Sequence, residues 1–314
     1  MSAFRDEVAA AITQLQADMT EALEQVEGQS FLKDSWTRED GNGYGQANII
    51  QGGRVFMKGG VNYTRILIPM QPGVARAMSE RGKKIEEAHL SDYTLFATGV
   101  SMVVHPINPM VPTIHLNYRY LEILKEGEVV DWWFAGGSDL TPYYLFPEDC
   151  VLFHKSLKDA LDPYDSAFYP AFKKECDEYF FIKHRKIARG VGGIFFDDVN
   201  SLEPPALLEM LKSCGGAFVS AYPEIVRRRI DIPYTKAERH WQEVRRGHYV
   251  EFNLCYDRGT KFGLMTPDAN LEAVFMPMPL KARWEYKLNY EEGTPEAALI
   301  AVLRDPKDWV SDQT

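Results

Sequence analysis

Between residues 54 and 134 the sequence reads as a series of short strand-like runs separated by turns that contain glycine and proline. The runs lie at 54–57, 63–69, 94–104, 113–124 and 129–134. Parallel neighbours need a crossover of a dozen or more residues, so strands that follow one another this closely favour antiparallel pairing. The sequence therefore predicts a large, mostly antiparallel sheet.

Helix-like periodicity surrounds these runs. Apolar residues recur at spacings of three and four from Phe4 to Val26, which predicts an N-terminal amphipathic helix within residues 1–28 that ends at Gly28. Further helices are predicted at 147–161, 170–189, 203–230, 234–246 and from Thr294 to about residue 303, and further strands at 193–196, 248–256 and 273–278. The chain has no repeat, low-complexity linker or break in composition. Residues 1–314 are therefore predicted to form a single α+β domain whose sheet is covered by helices.

The composition limits the ligands that the chain can bind. A formal net charge of −10 argues against a nucleic-acid or acidic-membrane binder, so an acidic ligand needs a local basic pocket. The four cysteines are far apart and lack zinc-ribbon spacing, and no run of about 18 apolar residues predicts a membrane span. Acidic residues near the N-terminus oppose a transit peptide, so we expect a cytoplasmic location.

The segment from His115 to Arg119 places polar groups on one face of a predicted strand. Successive side chains of a strand point to opposite faces, so His115, Asn117 and Arg119 share one face and Leu116 and Tyr118 the other. The first face combines a titratable imidazole, an amide and a fixed positive charge. It is suited to holding an anion beside a proton carrier.

Arginines elsewhere extend this interpretation. Arg185 and Arg189 are four residues apart on a predicted helix, and Arg245, Arg246 and Arg258 flank the strand predicted at 248–256. A guanidinium fork matches the geometry of a carboxylate, so these side chains could form a polycarboxylate pocket. A solvated basic face with incidental salt bridges is the alternative for any one of them.

Two aspartates are candidates for the same pocket. Asp139 follows a glycine pair beside an aromatic strand, and Asp257 precedes Arg258 and a glycine where the predicted strand ends. Each could be a buried acceptor or simply the cap of a turn. The pair Asp197-Asp198 fits a loop-capping interpretation better than a catalytic one.

Signatures of common cofactors are missing from the sequence. It has no GxSxG, no P-loop and no GxGxxG, and the glycine-rich run at 41–45 has the wrong spacing for a nucleotide site. Four histidines could suggest a metal, namely His105, His115, His154 and His184. Their spacing matches neither HxxxH nor HExxH, and two of them fall on apolar helix stripes, so no metal is expected.

Four long segments together carry a resemblance to a known family. They are HPINPMVPTIHLNYR, WWFAGGSDLTPYY, HRKIARGVGGIFFDDVN and EFNLCYDRGTKFGL, in this order. The chain closely resembles the oxygen-dependent coproporphyrinogen III oxidases, from about Gly52 to Val310. The resemblance implies a flat antiparallel sheet between helices on both faces and a homodimer. It also implies oxidative decarboxylation of two propionates of coproporphyrinogen III to vinyls, with molecular oxygen and without an organic cofactor.

The same resemblance implies roles for individual residues. It implies a proton donor at His115, a pocket aspartate at Asp139, and an Asp257–Arg258 pair that contacts pyrrole N–H groups and a propionate. The substrate contacts that it implies are Ser101, Asn117, Tyr118, Arg119, Arg185, Arg189, Arg246 and, in one loop, Asp268, Ala269 and Asn270. That loop departs from the family pattern, because Asn270 stands where an arginine is usual and Asp268 would repel a carboxylate.

Two other functions compete with this interpretation. A non-catalytic carrier of an acidic tetrapyrrole could use the same arginines, but it would not need His115 and two pocket aspartates. An oxygenase with a histidine-bound metal would use the four histidines named above. Turnover of the reduced substrate in air, with and without a chelator, separates the three functions.

Overall fold

A seven-stranded antiparallel sheet forms the centre of the protein. The computed structural model describes residues 2–39, 41–266 and 269–310. The strands are β1 Leu32–Thr37, β2 Gly43–Gln51, β3 Phe56–Pro69, β4 Tyr93–Pro106, β5 Thr113–Lys125, β6 Glu128–Thr141, β7 Phe181–Ile182, β8 Ile187–Ala188 and β9 Gly192–Val199. The sheet order is β1-β2-β3-β4-β5-β6-β9, while β7 and β8 form a separate small hairpin. Each neighbouring pair in the described sheet is antiparallel, as predicted.

Helices lie on both faces of the sheet. They are α1 Ser2–Glu27, α2 Pro72–Ser79, α3 Pro147–Leu161, α4 Phe168–Tyr179, α5 Pro204–Arg229, α6 Lys236–Cys255, α7 Arg258–Met265, α8 Leu271–Val274 and α9 Pro295–Arg304, with a 3₁₀ turn at Glu87–Asp92. Helices α1, α3 and α5 share one hydrophobic core with one face of the sheet. Helix α2 packs in a second cluster against the other face. The predicted α+β class is confirmed.

The N-terminal helix covers the middle of the sheet. Its apolar stripe, which includes Ile12, Met19 and Leu23, is fully buried, and each such side chain contributes about 1.5–3 kcal/mol. Gln16 donates hydrogen bonds of 2.8 Å to the carbonyl oxygens of two neighbouring strands, at Gln46 and Val61. These bonds fix the position of α1 along the strands.

The alternation predicted for the start of β5 is confirmed. Leu116, Tyr118 and Tyr120 are fully buried on the face that α1 covers. His115, Asn117 and Arg119, which alternate with them, are only partly buried on the opposite face. The strand therefore divides its residues between a core and a second, partly open surface.

Three predicted elements are wrong. The strand predicted at 248–256 is the second half of α6, which begins at a capping box formed by Thr235 and Glu238. The helix predicted at 170–189 ends at Tyr179, where the chain turns into the β7–β8 hairpin. The strand predicted at 273–278 is replaced by the short helix α8 and a loop. Strands β1 and β2 and helix α2 were not predicted.

Candidate active site

An elongated cavity of about 330 Å³ lies on the face of the sheet opposite α1. Its floor consists of residues from β1 to β5, and its roof comes from α4, α6, α7 and α8. The floor residues include Asn62, Thr64, Gly99, Ser101, His115, Asn117 and Arg119, and the roof residues include Tyr179, Tyr249, Asn253, Asp257, Thr260, Phe262, Asn270 and Ala273. Floor and roof therefore come from different parts of the chain.

His115 is oriented by a buried carboxylate. It lies directly across from Asp139 on the neighbouring strand, and its Nδ1 is 2.8 Å from Asp139 Oδ1. Asp139 accepts this bond, so Nδ1 carries the proton and Nε2 is left as an acceptor. The Asn117 amide stands 3.2 Å from that Nε2 and can donate to it. The imidazole therefore presents Nε2, and not Nδ1, to the cavity floor.

Arg189 neutralises the charge of Asp139. Its Nη2 lies 2.8 and 2.9 Å from the two carboxylate oxygens, and both side chains are buried, with exposures of 2% and 1%. Burial alone would raise the pKa of Asp139, but Arg189 and His115 together lower it below its usual range. The carboxylate is therefore ionised at neutral pH.

Three aromatic rings and an amide hold Arg189 in place. The guanidinium carbon lies 4.1, 4.6 and 4.8 Å from the ring centroids of Phe180, Tyr249 and Phe252. Its Nη1 donates to Asn253 Oδ1 at 3.1 Å. Arg189 reaches the cavity wall, but most of its donors bind protein acceptors.

Asp257 enters the cavity from the roof. Its Oδ2 accepts from the backbone N–H and the hydroxyl of Thr260 at 2.6 and 2.8 Å, so it caps the start of α7. Tyr179 donates to its Oδ1 at 3.0 Å. Burial alone would raise the pKa of Asp257, but the Thr260 hydrogen bonds lower it below its usual range. The sequence left open whether Asp257 caps a turn or faces a pocket, and it does both.

Arg258 diverges from its neighbour Asp257. Its side chain is 48% exposed, lies 4.8 Å from the Tyr179 ring centroid and forms an ion pair of 3.3 Å with Asp197 outside the cavity. The change from extended to helical backbone at the start of α7 sends the two side chains in different directions. Asp197 also pairs with Arg81, at 2.7 Å.

Other predicted contact residues meet at the cavity. Ser101 and Asn117 lie directly across from each other on β4 and β5, and Arg119 crosses the floor above Gly99. Ala269 and Asn270 also line the cavity, and the Asn270 amide oxygen caps α8 by accepting from the Ala273 N–H. Asp268 lies outside the described residues.

Besides Arg258, three residues that were predicted to contact the substrate lie away from the cavity. Tyr118 is on the core face of β5, where its ring stacks on Phe196. Arg185 is at the surface and forms an ion pair with Glu251, because the helix that was to align it with Arg189 ends before it. Arg246 is fully buried and donates to the Pro106 carbonyl at 2.6 Å.

Several lining residues were missed by sequence reasoning. Tyr249 and Asn253 belong to the half of α6 that was assigned to a strand, so their shared helical face was not visible. Trp36 and Arg38 belong to an edge strand and turn that were not predicted. Tyr179 is the last residue of α4, and its ring stacks on Phe195 at 4.0 Å. A correct prediction of α6 would have found the first two.

The four histidines considered as metal ligands form hydrogen bonds with four different sets of protein groups. Each ring of His105 and His154 contacts one hydroxyl and one carbonyl, and burial lowers the pKa of both to about 3. His184 contacts Glu251 and Tyr256 near the surface. Within the described ranges, no group of three or more His, Cys, Asp and Glu side chains is arranged to hold a metal ion.

A cavity that combines an oriented imidazole, an ionised aspartate and a basic floor residue, with a second ionised aspartate behind the imidazole, is suited to an enzyme acting on an acidic organic molecule. Comparison with known proteins identifies the family. The chain belongs to the coproporphyrinogen III oxidase family, whose model matches residues 7–309.

Curated relatives support this membership over nearly the whole chain. It is 48% identical over 301 residues to the oxygen-dependent coproporphyrinogen-III oxidase of Drosophila melanogaster, covering 95% of this chain and 76% of the relative. It is 47% identical to the mitochondrial oxygen-dependent coproporphyrinogen-III oxidase of Rattus norvegicus, with coverage of 95% and 67%. It is 45% identical to the chloroplastic coproporphyrinogen-III oxidase 1 of Arabidopsis thaliana, with coverage of 94% and 76%. None of the described helices has the length and apolar character needed to cross a membrane.

Proposed function

We propose that the protein catalyses the oxygen-dependent oxidative decarboxylation of two propionates of coproporphyrinogen III to vinyl groups, giving protoporphyrinogen IX in haem biosynthesis. One observation carries the proposal. In a chain of this family, the oriented imidazole of His115 and the ionised carboxylate of Asp257 enter one elongated cavity from opposite sides. A flat molecule on the floor is within reach of both groups.

Each decarboxylation balances with oxygen alone. A propionate, one O₂ and one proton give a vinyl group, CO₂ and hydrogen peroxide. The bond between the carboxyl carbon and its neighbour breaks, and its electron pair forms the new double bond. The methylene carbon attached to the pyrrole ring loses a hydrogen together with two electrons. These two electrons reduce O₂, which becomes hydrogen peroxide. The chemistry therefore requires proton transfer and electrostatic stabilisation from the protein.

The cavity residues divide these tasks. Asp257 accepts hydrogen bonds from the pyrrole N–H groups and stabilises an electron-poor ring as electrons leave it. Arg119 binds a propionate, together with the neutral side chains of Ser101 and Asn117. His115 relays a proton at Nε2, the nitrogen that is free of Asp139.

Asp139 and Arg189 act through His115 in this proposal. Asp139 lies behind the imidazole, and Arg189 compensates its charge. Both are therefore positioning residues, not direct substrate contacts. Arg258 reaches the substrate only if its ion pair with Asp197 opens.

The reaction is proposed to need no organic cofactor or metal. The four candidate histidines are bound to four different sets of protein groups, as described above. Purified protein should convert coproporphyrinogen III in air with two CO₂ released per product, and a chelator should not change the rate. Binding without turnover would support the carrier, and loss of activity on chelation would support the metal-dependent oxygenase.

Assembly and location complete the proposal. We propose a homodimer in the cytoplasm. The four cysteines all lie in described parts of the chain and are unpaired, which fits a reducing compartment. Light scattering coupled to size-exclusion chromatography measures the mass in solution, and cell fractionation tests the location. Since relatives from rat and Arabidopsis carry organelle names, the fractionation should include organelle pellets.

A further inference from the structure

A row of residues crosses the cavity floor at right angles to five strands. Trp36 pairs with Gly45, Gly45 with Thr64, Thr64 with Gly99, and Gly99 with Arg119. Large side chains stand at both ends of the row, and small ones lie between them. The row is therefore a shallow trough closed at one end by an arginine and at the other by a tryptophan.

Two glycines allow the edge strand to close the trough. A Cβ on Gly45 would stand 2.3 Å from Cζ2 of Trp36, and a Cβ on Gly43 would stand 2.8 Å from Cδ of Arg38. The indole and the arginine stem thus lie in space that any larger residue of β2 would fill. Trp36 is half-buried, whereas the other five described residues of β1 are exposed. The glycine-rich run at 41–45 accordingly serves the cavity wall and not a nucleotide.

The trough is long enough for a tetrapyrrole. Four strand spacings separate β5 from β1, which amounts to about 19 Å at the usual spacing. A porphyrinogen whose reacting propionate lies near His115 therefore extends its opposite side toward Trp36 and Arg38. Both residues line the same cavity as His115.

We propose that Trp36 and Arg38 form a distal subsite that binds a propionate which does not react. The inference rests on the proposed function, because it requires a ligand with four carboxylates of which two are consumed. Arg38 binds the distal carboxylate, and the Trp36 indole packs against the propionate methylenes and the adjacent pyrrole edge. The pair determines which acidic tetrapyrroles bind and takes no part in the chemical step.

The central experiment compares three variants on the same edge strand and its turn. Arg38→Met should raise KM for coproporphyrinogen III about tenfold, as expected for one charge-assisted hydrogen bond in a half-exposed position, with kcat changed less than threefold. Trp36→Leu should act in the same direction. Lys33→Met is the matched control. This substitution also removes one positive charge, but from an exposed site on the other face of β1.

A substrate analogue tests the assignment to a non-reacting arm. In this analogue ethyl groups replace the two propionates that do not react. The Arg38→Met variant should bind it as well as the wild type does, because the group that Arg38 recognises is absent. A further tenfold loss with the analogue would overturn the subsite.

A binding assay keeps this inference separate from the proposed activity. Oxidised coproporphyrin III carries the same four propionates and fluoresces, so its Kd can be measured without turnover. The distal subsite would be overturned if Kd is the same in Arg38→Met, Trp36→Leu and Lys33→Met and KM is also the same in all three. This holds even if the wild type is an active oxidase. Conversely, a wild type that binds the porphyrin but never turns over the porphyrinogen would overturn the activity, and a weakened Kd in Arg38→Met would still support the subsite.

Discussion

Arg189 bonds to both carboxylate oxygens of Asp139 beside the imidazole of His115, and the same carboxylate accepts from His115 Nδ1. The orientation of the imidazole thus depends on an ion pair that is almost completely buried. Asp139 comes from the sheet and Arg189 from the segment that follows the β7–β8 hairpin. Stability and proton transfer are consequently linked at this point.

This linkage gives the first prediction. Asp139→Leu leaves the Arg189 guanidinium buried without its partner, so the free energy of unfolding should fall by about 3–5 kcal/mol. The double variant Asp139→Leu/Arg189→Met removes both charges and should recover most of that loss in urea denaturation. Turnover should stay depressed in both variants, because His115 has lost its acceptor. Recovery of turnover along with stability would show that Asp139 does not act through the imidazole.

His115 supplies the second prediction. His115→Gln should lower kcat by about 10²–10⁴-fold if the imidazole relays a proton. Its side chain is only 15% exposed but lies on the cavity floor, so the thermal midpoint should change little. His184→Gln provides the control, since His184 binds Glu251 near the surface. Equal kcat values for the two variants would remove His115 from the chemistry.

The two arginines Arg119 and Arg185 should differ in their effect on substrate binding. Arg119→Met should raise KM about 10–100-fold, the range expected for the loss of charge-assisted hydrogen bonds worth roughly 1.5–3 kcal/mol. Arg185→Met should leave KM unchanged, because Arg185 pairs with Glu251 at the surface. Steady-state kinetics on coproporphyrinogen III measures both. A large rise in KM for Arg185→Met would mean that the loop moves when substrate binds.

The lowered pKa of Glu251 leads to a prediction of how the stability of the fold depends on pH. Burial alone would raise its pKa, but hydrogen bonds from Arg185 and His184 lower it from 4.5 to about 2. A carboxyl whose pKa is lower in the folded state stabilises the fold above its unfolded pKa, and this contribution disappears as the pH falls through the folded pKa.

The measurement is chemical denaturation of wild type and Glu251→Gln between pH 7 and pH 2. The wild type should be more stable at pH 7, and its advantage should shrink as the pH falls from about 4.5 toward 2. Using the difference between the two proteins cancels the titration of other carboxylates. An advantage that is constant over this range would mean that the Glu251 pKa is not lowered by folding.

Periodicity predicted the central strands of the sheet well and the second half of α6 poorly, and both outcomes have a physical reason. In β5 the alternation of buried and open side chains follows from strand geometry, so the positions of His115 and Asn117 could be read directly. The second half of α6 instead buries polar and aromatic residues together, which include His248, Tyr249 and Asn253. Polar groups interrupt the apolar period of a helix at these positions, and the aromatic residues imitate a strand.

The dependence of helix ends on tertiary packing limits how much of the site could be predicted. The floor residues of β5 follow from local alternation within one strand. Placing Arg185, Arg189 and Arg246 required the end of α4 and the full length of α6, and both depend on tertiary packing. Four residues along the chain therefore separate a surface arginine, Arg185, from a fully buried one, Arg189.

The separate origin of floor and roof has a consequence for recombination within the family. The floor is encoded before the end of β6 and most of the roof after the start of α4, so a chimera joined between Thr141 and Phe168 exchanges one side of the cavity at a time. The Asp139–Arg189 ion pair crosses that junction. Two parent enzymes that both have this ion pair can therefore exchange the parts of the chain before and after the junction without leaving a buried charge unpaired.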